Sequence, residues 1–165
     1  MNRPPGNASW RDTGPEDVGH IHRLVRALAV FEKMEHEFHA TEEDLAKALF
    51  AERPLAHAML AEAEGRPVAV CLWYYTFSSF LGRPEIWIED VFVEVDHRKQ
   101  GLAKAAFSLL ARRALDEGCP AVSWNVLDWN TPAIAAYRAM GAVGREQWTD
   151  QRVSGQALVA LAGRG

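Results

Sequence analysis

The chain has 165 residues, 48% of them hydrophobic, and its 22 acidic and 18 basic side chains leave a formal charge of -4. That length and apolar content fit one domain that buries about 70% of its unfolded surface, and mild acidity with both signs intermixed argues against a nucleic-acid or anionic-membrane surface. The two cysteines, Cys71 and Cys119, form neither a disulfide framework nor a metal-ligand spacing, no run approaches the ~18 apolar residues of a membrane span, and the polar start lacks a signal-peptide core. A reducing, cytoplasmic setting is therefore expected.

In chain order, residues 1–9 are rich in proline and glycine and are expected to be disordered, with a single domain over 10–165. A short strand is expected near Trp10, then a helix over 15–32, opened by Pro15 and acidic residues and striped by Val18, Ile21, Leu24, Val25 and Leu28. A second helix is expected over 41–50, where Thr41-x-x-Asp44 is a relative of the capping box. Strands over 56–62 and 68–77 read as a hairpin turned at 64–67. Residues 86–95 have the β-branched and aromatic content of a buried strand but carry Glu89 and Asp90 side by side. Neighbouring strand residues face opposite ways, so at least one carboxylate points toward packed structure. An unpaired buried carboxylate is costly, so that position has a partner or a task.

A helix follows from residue 102, with Leu102, Ala106, Leu110 and Ala114 on one face and Lys104, Ser108 and Arg112 on another. A strand over 121–126, a helix over 131–140, a strand over 147–153 and a short C-terminal helix complete the pattern. A hairpin followed by alternating strands and helices predicts an α/β (α+β mixed) fold, a mixed central β-sheet flanked by helices on both faces.

Between strand and helix lies Arg98-Lys99-Gln100-Gly101-Leu102-Ala103-Lys104. Gly101 and the small Ala103 let backbone N–H groups approach a phosphate, the first helical turn adds unpaired donors, and Arg98, Lys99 and Lys104 add charge. The turn alone is slightly better explained as an ordinary strand-to-helix connection with a solvated basic edge. No Gly-x-Gly-x-x-Gly run and no Gly-Lys-Ser/Thr follows, which excludes the two familiar nucleotide loops and a phosphate-loop NTPase.

Arg98-x-x-Gly101-x-Ala103 after a strand resembles the acyl-CoA loop of the GNAT superfamily of N-acetyltransferases. Asn130-Thr131-Pro132-Ala133-Ile134-Ala135-Ala136-Tyr137-Arg138-Ala139-Met140-Gly141-Ala142 is similar to that family's Asn-x-x-(Ala/Ser)-x-x-x-Tyr-x-x-x-Gly segment. Leu28-Ala29-Val30-Phe31-Glu32-Lys33-Met34-Glu35, Trp73-Tyr74-Tyr75 and Ile88-Glu89-Asp90 resemble the diamine (spermidine/spermine) branch and its thialysine-acetylating relatives. The resemblance implies the GNAT fold, acetyl-CoA as co-substrate, no metal, and a homodimer.

It also implies roles. Glu89 is the base that deprotonates the amine. A backbone N–H in the strand end Val91-Phe92-Val93, that of Phe92 or Val93, faces the thioester oxygen. Residues 98–104 hold the pyrophosphate, Asn130 contacts the pantetheine arm, and Tyr137 protonates the leaving thiolate. Glu32 lies near the substrate amine, and Asp90, facing away from Glu89, serves the amine side or the structure. His36-x-x-His39 lacks a third ligand and reads as a solvent-facing pair. Polyamine-specific members carry an acidic residue and proline in the segment matching Ser78-Ser79-Phe80, and this chain has neither. Together with Val126-Leu127-Asp128-Trp129-Asn130, this favours a thialysine-like or lysine-like amine over a polyamine. A noncatalytic acyl-CoA sensor and a protein lysine acetyltransferase are the alternatives.

Overall fold

The structure, a computed structural model, describes residues 8–163. Its internal contacts group residues 1–125 and 126–165 into two units.

In the first unit five strands form one sheet in the order β1 (Ser9–Asp12), β2 (His57–Ala63), β3 (Arg66–Ser78), β4 (Arg83–Val93) and β5 (Val122–Trp124). All neighbours are antiparallel except β4 and β5. The β2–β3 hairpin turns on Glu64 and Gly65, both at positive φ (52° and 75°). This two-residue geometry matches the strands' right-handed twist. Of the start expected to be disordered, residues 1–7 lie outside the described residues, whereas Ala8 is buried and Ser9 opens β1.

Helix α1 (Val18–Phe31) buries Ile21, Leu24 and Leu28, and α2 (Glu42–Phe50) contributes Leu49. Together they cover Ala58, Leu60, Val70, Leu72 and Phe92 on one face of the sheet. The Thr41/Asp44 capping box forms at the start of α2, with the Asp44 N–H donating to Thr41 Oγ1 at 3.1 Å and the Thr41 N–H to Asp44 Oδ2 at 2.9 Å. On the opposite face Leu102, the first residue of α3 (Leu102–Asp116), packs with Ala61, Val68, Ala69 and Val93. Strand alternation sends Val70 and Leu72 of β3 to one face and Ala69 to the other, and Val68, left unpaired between Pro67 and Ala69 where the β2–β3 register shifts, joins Ala69.

Two ion-pair groups fasten α1 to the sheet. Arg11 on β1 grips Asp17 through both guanidinium nitrogens, at 2.7 and 2.8 Å, and also reaches Glu62 on β2. Asp17 is almost fully buried, and this pairing holds its carboxyl below the usual range. Glu94, just past β4, accepts from Arg23 of α1 and Arg66 of β3, while Arg23 also donates to Pro67 O at 2.8 Å.

The second unit carries α4 (Thr131–Ala139) and α5 (Gly155–Leu161). The strand expected over 147–153 does not form. Its only apolar residues, Trp148 and Val153, are five apart and would point to opposite faces, so the segment has no apolar face to bury. Instead the Trp148 N–H closes a turn onto Arg145 O, and the Arg145 guanidinium lies 5.2 Å from the Trp148 ring centroid.

Candidate active site

The pairing of β3 with β4 is interrupted at the carboxylates. Leu72 lies opposite Asp90 and Trp73 opposite Ile88, leaving Glu89 without a partner: it is the extra residue of a β-bulge. Strict alternation would send Glu89 and Asp90 to opposite faces, and that expectation is corrected here. Asp90 shares a face with its cross-strand partner Leu72, in the α1/α2 core, while Glu89 shares a face with Trp87 two residues before it. Trp87 pairs with Tyr74, two positions from Leu72 on β3, so all of these lie on one side. The bulge therefore brings the two carboxylates together. Trp87 Nε1 donates to Glu89 Oε2 at 3.0 Å, and desolvation followed by Glu89's charge and hydrogen bond holds the Tyr74 phenol above its ordinary value.

The third carboxylate comes from the end of α1. Glu32 is its C-cap, followed by Lys33 at φ 62°. The Lys33 N–H bonds Val30 O and the Met34 N–H bonds Ala29 O, a Schellman turn with lysine where glycine is usual. Glu32 is half-buried, and desolvation raises its carboxyl. Asp90, also half-buried, is pushed up to about 7, first by desolvation and then by the charges of Glu89 and Glu32. The three carboxylates thus form one electrostatic group adjoining the aromatic Trp87 and Tyr74, chemistry that suits an alkyl ammonium.

The Asp90 value sets a pH dependence. Above about pH 7 its carboxyl is ionised and adds a negative charge to the group; below that pH it is neutral. The ratio of kcat/KM between the wild type and Asp90→Asn should approach one on the acid side and rise to about tenfold at pH 8 to 9. A ratio that does not change with pH would remove Asp90 from amine recognition.

Past Ile88, β4 has no strand partner on its β5 side among the described residues. The Glu94 N–H donates to Val68 O at 3.0 Å, and backbone groups alternate along a strand. Hence the Asp90 and Phe92 N–H groups face β3, whereas those of Val91 and Val93 face the open edge. Of the two oxyanion donors expected from the sequence, only Val93 is turned outward. Its carbonyl on that edge accepts from Arg98 Nε at 2.9 Å.

The turn into α3 places Lys99 and Gly101 at positive φ, 62° and 80°. Gly101 is the N-cap of α3 and supplies no side-chain cap, so the first-turn N–H groups keep their donor capacity. A Cβ built on Gly101 would meet no protein atom within 4 Å. Open space over a row of unpartnered amides fits the pyrophosphate of an acyl-CoA. Gln100 instead bonds backward, its amide donating to Asp96 O at 3.4 Å.

In the second unit Asn130 caps α4, accepting from the Ala133 N–H at 3.4 Å. The helix ends in a Schellman turn: Gly141 lies at φ 93°, its N–H bonds Arg138 O, and the Ala142 N–H bonds Tyr137 O, both at 3.0 Å. The glycine four residues after Tyr137 is therefore explained by chain geometry, since it stops α4 one turn beyond the tyrosine. Tyr137 itself is half-buried.

A family model described as acetyltransferase (GNAT) matches residues 25–142, most of the chain. The chain belongs to the GNAT acetyltransferase family. It is 36% identical to a thialysine N-epsilon-acetyltransferase from Bos taurus, over 93% of this chain and 96% of that protein. It is 29% identical to an L-ornithine N5-acetyltransferase from Arabidopsis thaliana, over 89% and 84% respectively. Among solved structures, an aminoglycoside acetyltransferase from an uncultured soil metagenomic sample superposes with a TM-score of 0.75 at 18% identity, over 89% of this chain and 95% of that one. That likeness establishes the shared fold. The protein is thus an acetyl-CoA-dependent N-acetyltransferase.

One residue of the site has no part in the sequence reading: Trp87, whose indole N–H orients Glu89. Its signal was available, since a residue two positions before a strand carboxylate shares its face. A cleft of about 500 Å³ lies apart from the carboxylates, between β1 and α3, lined by Trp10, Met59, Trp73, Arg113 and Glu117. Its charges answer one another: Arg113 lies over the Trp73 ring and 3.6 Å from Glu117, which also accepts from the Tyr75 hydroxyl. Among the described residues no cluster of three potential ligands could hold a metal, and no helix is long and apolar enough to cross a membrane.

Proposed function

We propose that this acetyltransferase acetylates a primary amine of a small diamino compound, thialysine or a lysine-like amine first and a polyamine second, by direct attack in a ternary complex. The observation that carries the reading is the joining of Glu32, Glu89 and Asp90 beside Trp87 and Tyr74, a group that attracts a cation and holds a base at the same place. The relatives named for thialysine and ornithine acetylation support the choice of a diamino acid.

Acetyl-CoA supplies an activated thioester carbonyl. Residues 98–104, chiefly through the amides of Gly101, Leu102, Ala103 and Lys104, hold its pyrophosphate, and Asn130 meets the pantetheine arm. Glu89 takes the proton from the ammonium, and the Val93 N–H faces the oxygen that gains charge as the nitrogen–carbon bond forms and the carbon–sulfur bond breaks. Tyr137 returns a proton to the thiolate. Glu32 and Asp90 hold the charged end of the substrate. The protein works in the cytoplasm as a homodimer.

The test is thiol release from acetyl-CoA with thialysine, lysine, ornithine, spermidine, spermine and a lysine peptide across a pH series. Selective turnover of one small diamine is the expected result. Tight acetyl-CoA binding without release from any amine would replace the reading with that of an acyl-CoA sensor. Tyr137→Phe should lower turnover by about tenfold or more while acetyl-CoA affinity stays near wild type. Unchanged turnover would remove Tyr137 from the mechanism.

A further inference from the structure

The side chain of Arg98 does something that holding a phosphate does not require. Its Nε donates to Val93 O at 2.9 Å, and its guanidinium lies 4.5 Å from the Phe31 ring centroid and 5.6 Å from that of Phe92. No ion pair engages it among the described residues. It is thus directed at aromatic faces and a backbone carbonyl, with only Nε hydrogen-bonded among the described residues.

Phe92 is buried among Ile21, Leu24 and Leu28 and needs no further anchor. Phe31 differs: it is the last residue of α1, is 38% exposed, and immediately precedes Glu32. A helix end frays unless something holds it, and the Schellman turn here runs through a lysine in a conformation that favours glycine. The guanidinium over the Phe31 ring supplies a hold from outside the helix. It comes from the first residue of the acyl-CoA loop.

We propose that Arg98 is a positioning residue for the amine: through Phe31 it fixes the end of α1 and with it Glu32, so that an ordered acyl-CoA loop and an ordered amine site are one arrangement. The inference rests on the reading of Glu32 as an amine-binding carboxylate. It deepens that reading, because the acyl-CoA loop then helps to select a cationic second substrate. Linkage makes the effect reciprocal: CoA tightens the amine by the factor with which the amine tightens CoA.

The experiment is steady-state kinetics of the full chain with the diamine that the wild type turns over best, for Arg98→Gln, Phe31→Leu and the double variant. Arg98→Gln should raise the KM of both substrates. Phe31→Leu lies outside the loop and should raise the amine KM at saturating acetyl-CoA by about tenfold and, by linkage, the acetyl-CoA KM at saturating amine by a similar factor, while kcat and the affinity for CoA without amine move by less than about twofold. The double variant should have an amine KM no higher than that of Arg98→Gln, because both changes break one contact. An amine KM unmoved in either single variant overturns the proposal, as does a double variant whose effects multiply. Circular dichroism and thermal melting check that each variant is folded, and calorimetric titration with CoA alone reads the affinity without amine. A wild type that turns over no diamine would instead overturn the proposed function itself, so the two failures are distinguishable.

Discussion

Glu89→Gln is expected to lower turnover on a small diamine by about a hundredfold near pH 7, with a deficit that shrinks as the pH approaches 9. A lysine-like amine with a pKa of ~10.4 is neutral about one part in a thousand at pH 7.4, which burdens the nucleophilic form by about 4 kcal/mol. A base that removes the proton within the complex relieves that burden, and free amine from solution relieves it at high pH. Glutamine keeps the acceptor that Trp87 Nε1 uses at 3.0 Å, so the bulge and its hydrogen bond persist while the base is lost. The same change reaches Asp90, whose carboxyl is raised partly by Glu89's charge. Removing that charge should move the acid limb of kcat/KM to lower pH, in the direction set by the lost repulsion. A deficit independent of pH would assign Glu89 to charge recognition alone, and an unmoved acid limb would separate the two carboxylates.

The features legible in the sequence are those written in local chemistry. Thr41 and Asp44 announce α2 because a capping box needs residues only three apart, and the β2–β3 hairpin follows from two apolar runs around Glu64-Gly65. The turn into α3 was legible for the same reason: Gly101 and Ala103 sit within one turn of chain. The bulge at Glu89 was not, because a register shift is decided by how β3 meets β4, and nothing within Ile88-Glu89-Asp90 records it. The strand expected over 147–153 failed on a point the sequence did contain. Trp148, Thr149 and Val153 have strand propensity, but propensity without an apolar face buries nothing. The hold of Arg98 on Phe31 joins residues distant in the chain and becomes visible only once β4 and α1 are packed.

Gly101→Val is expected to weaken acetyl-CoA by about a hundredfold, read as the acetyl-CoA dissociation constant in calorimetry, while leaving the amine KM at saturating acetyl-CoA less affected. Two physical effects act together. At φ 80° the residue occupies a region that a β-branched side chain strongly disfavours, so valine drives the turn toward another conformation and disperses the first-turn amides of α3. Where the turn holds, the new side chain fills space that meets no protein atom, which is the space a phosphate needs in order to reach those amides. Gly101→Ala separates the two contributions. It retains most of the backbone penalty but adds one carbon where valine adds three. An alanine effect close to that of valine would make loop conformation the dominant cause, and a small one would make close approach dominant. Affinity unchanged in both variants would show that the pyrophosphate does not lie on this turn, and the loop assignment would fall.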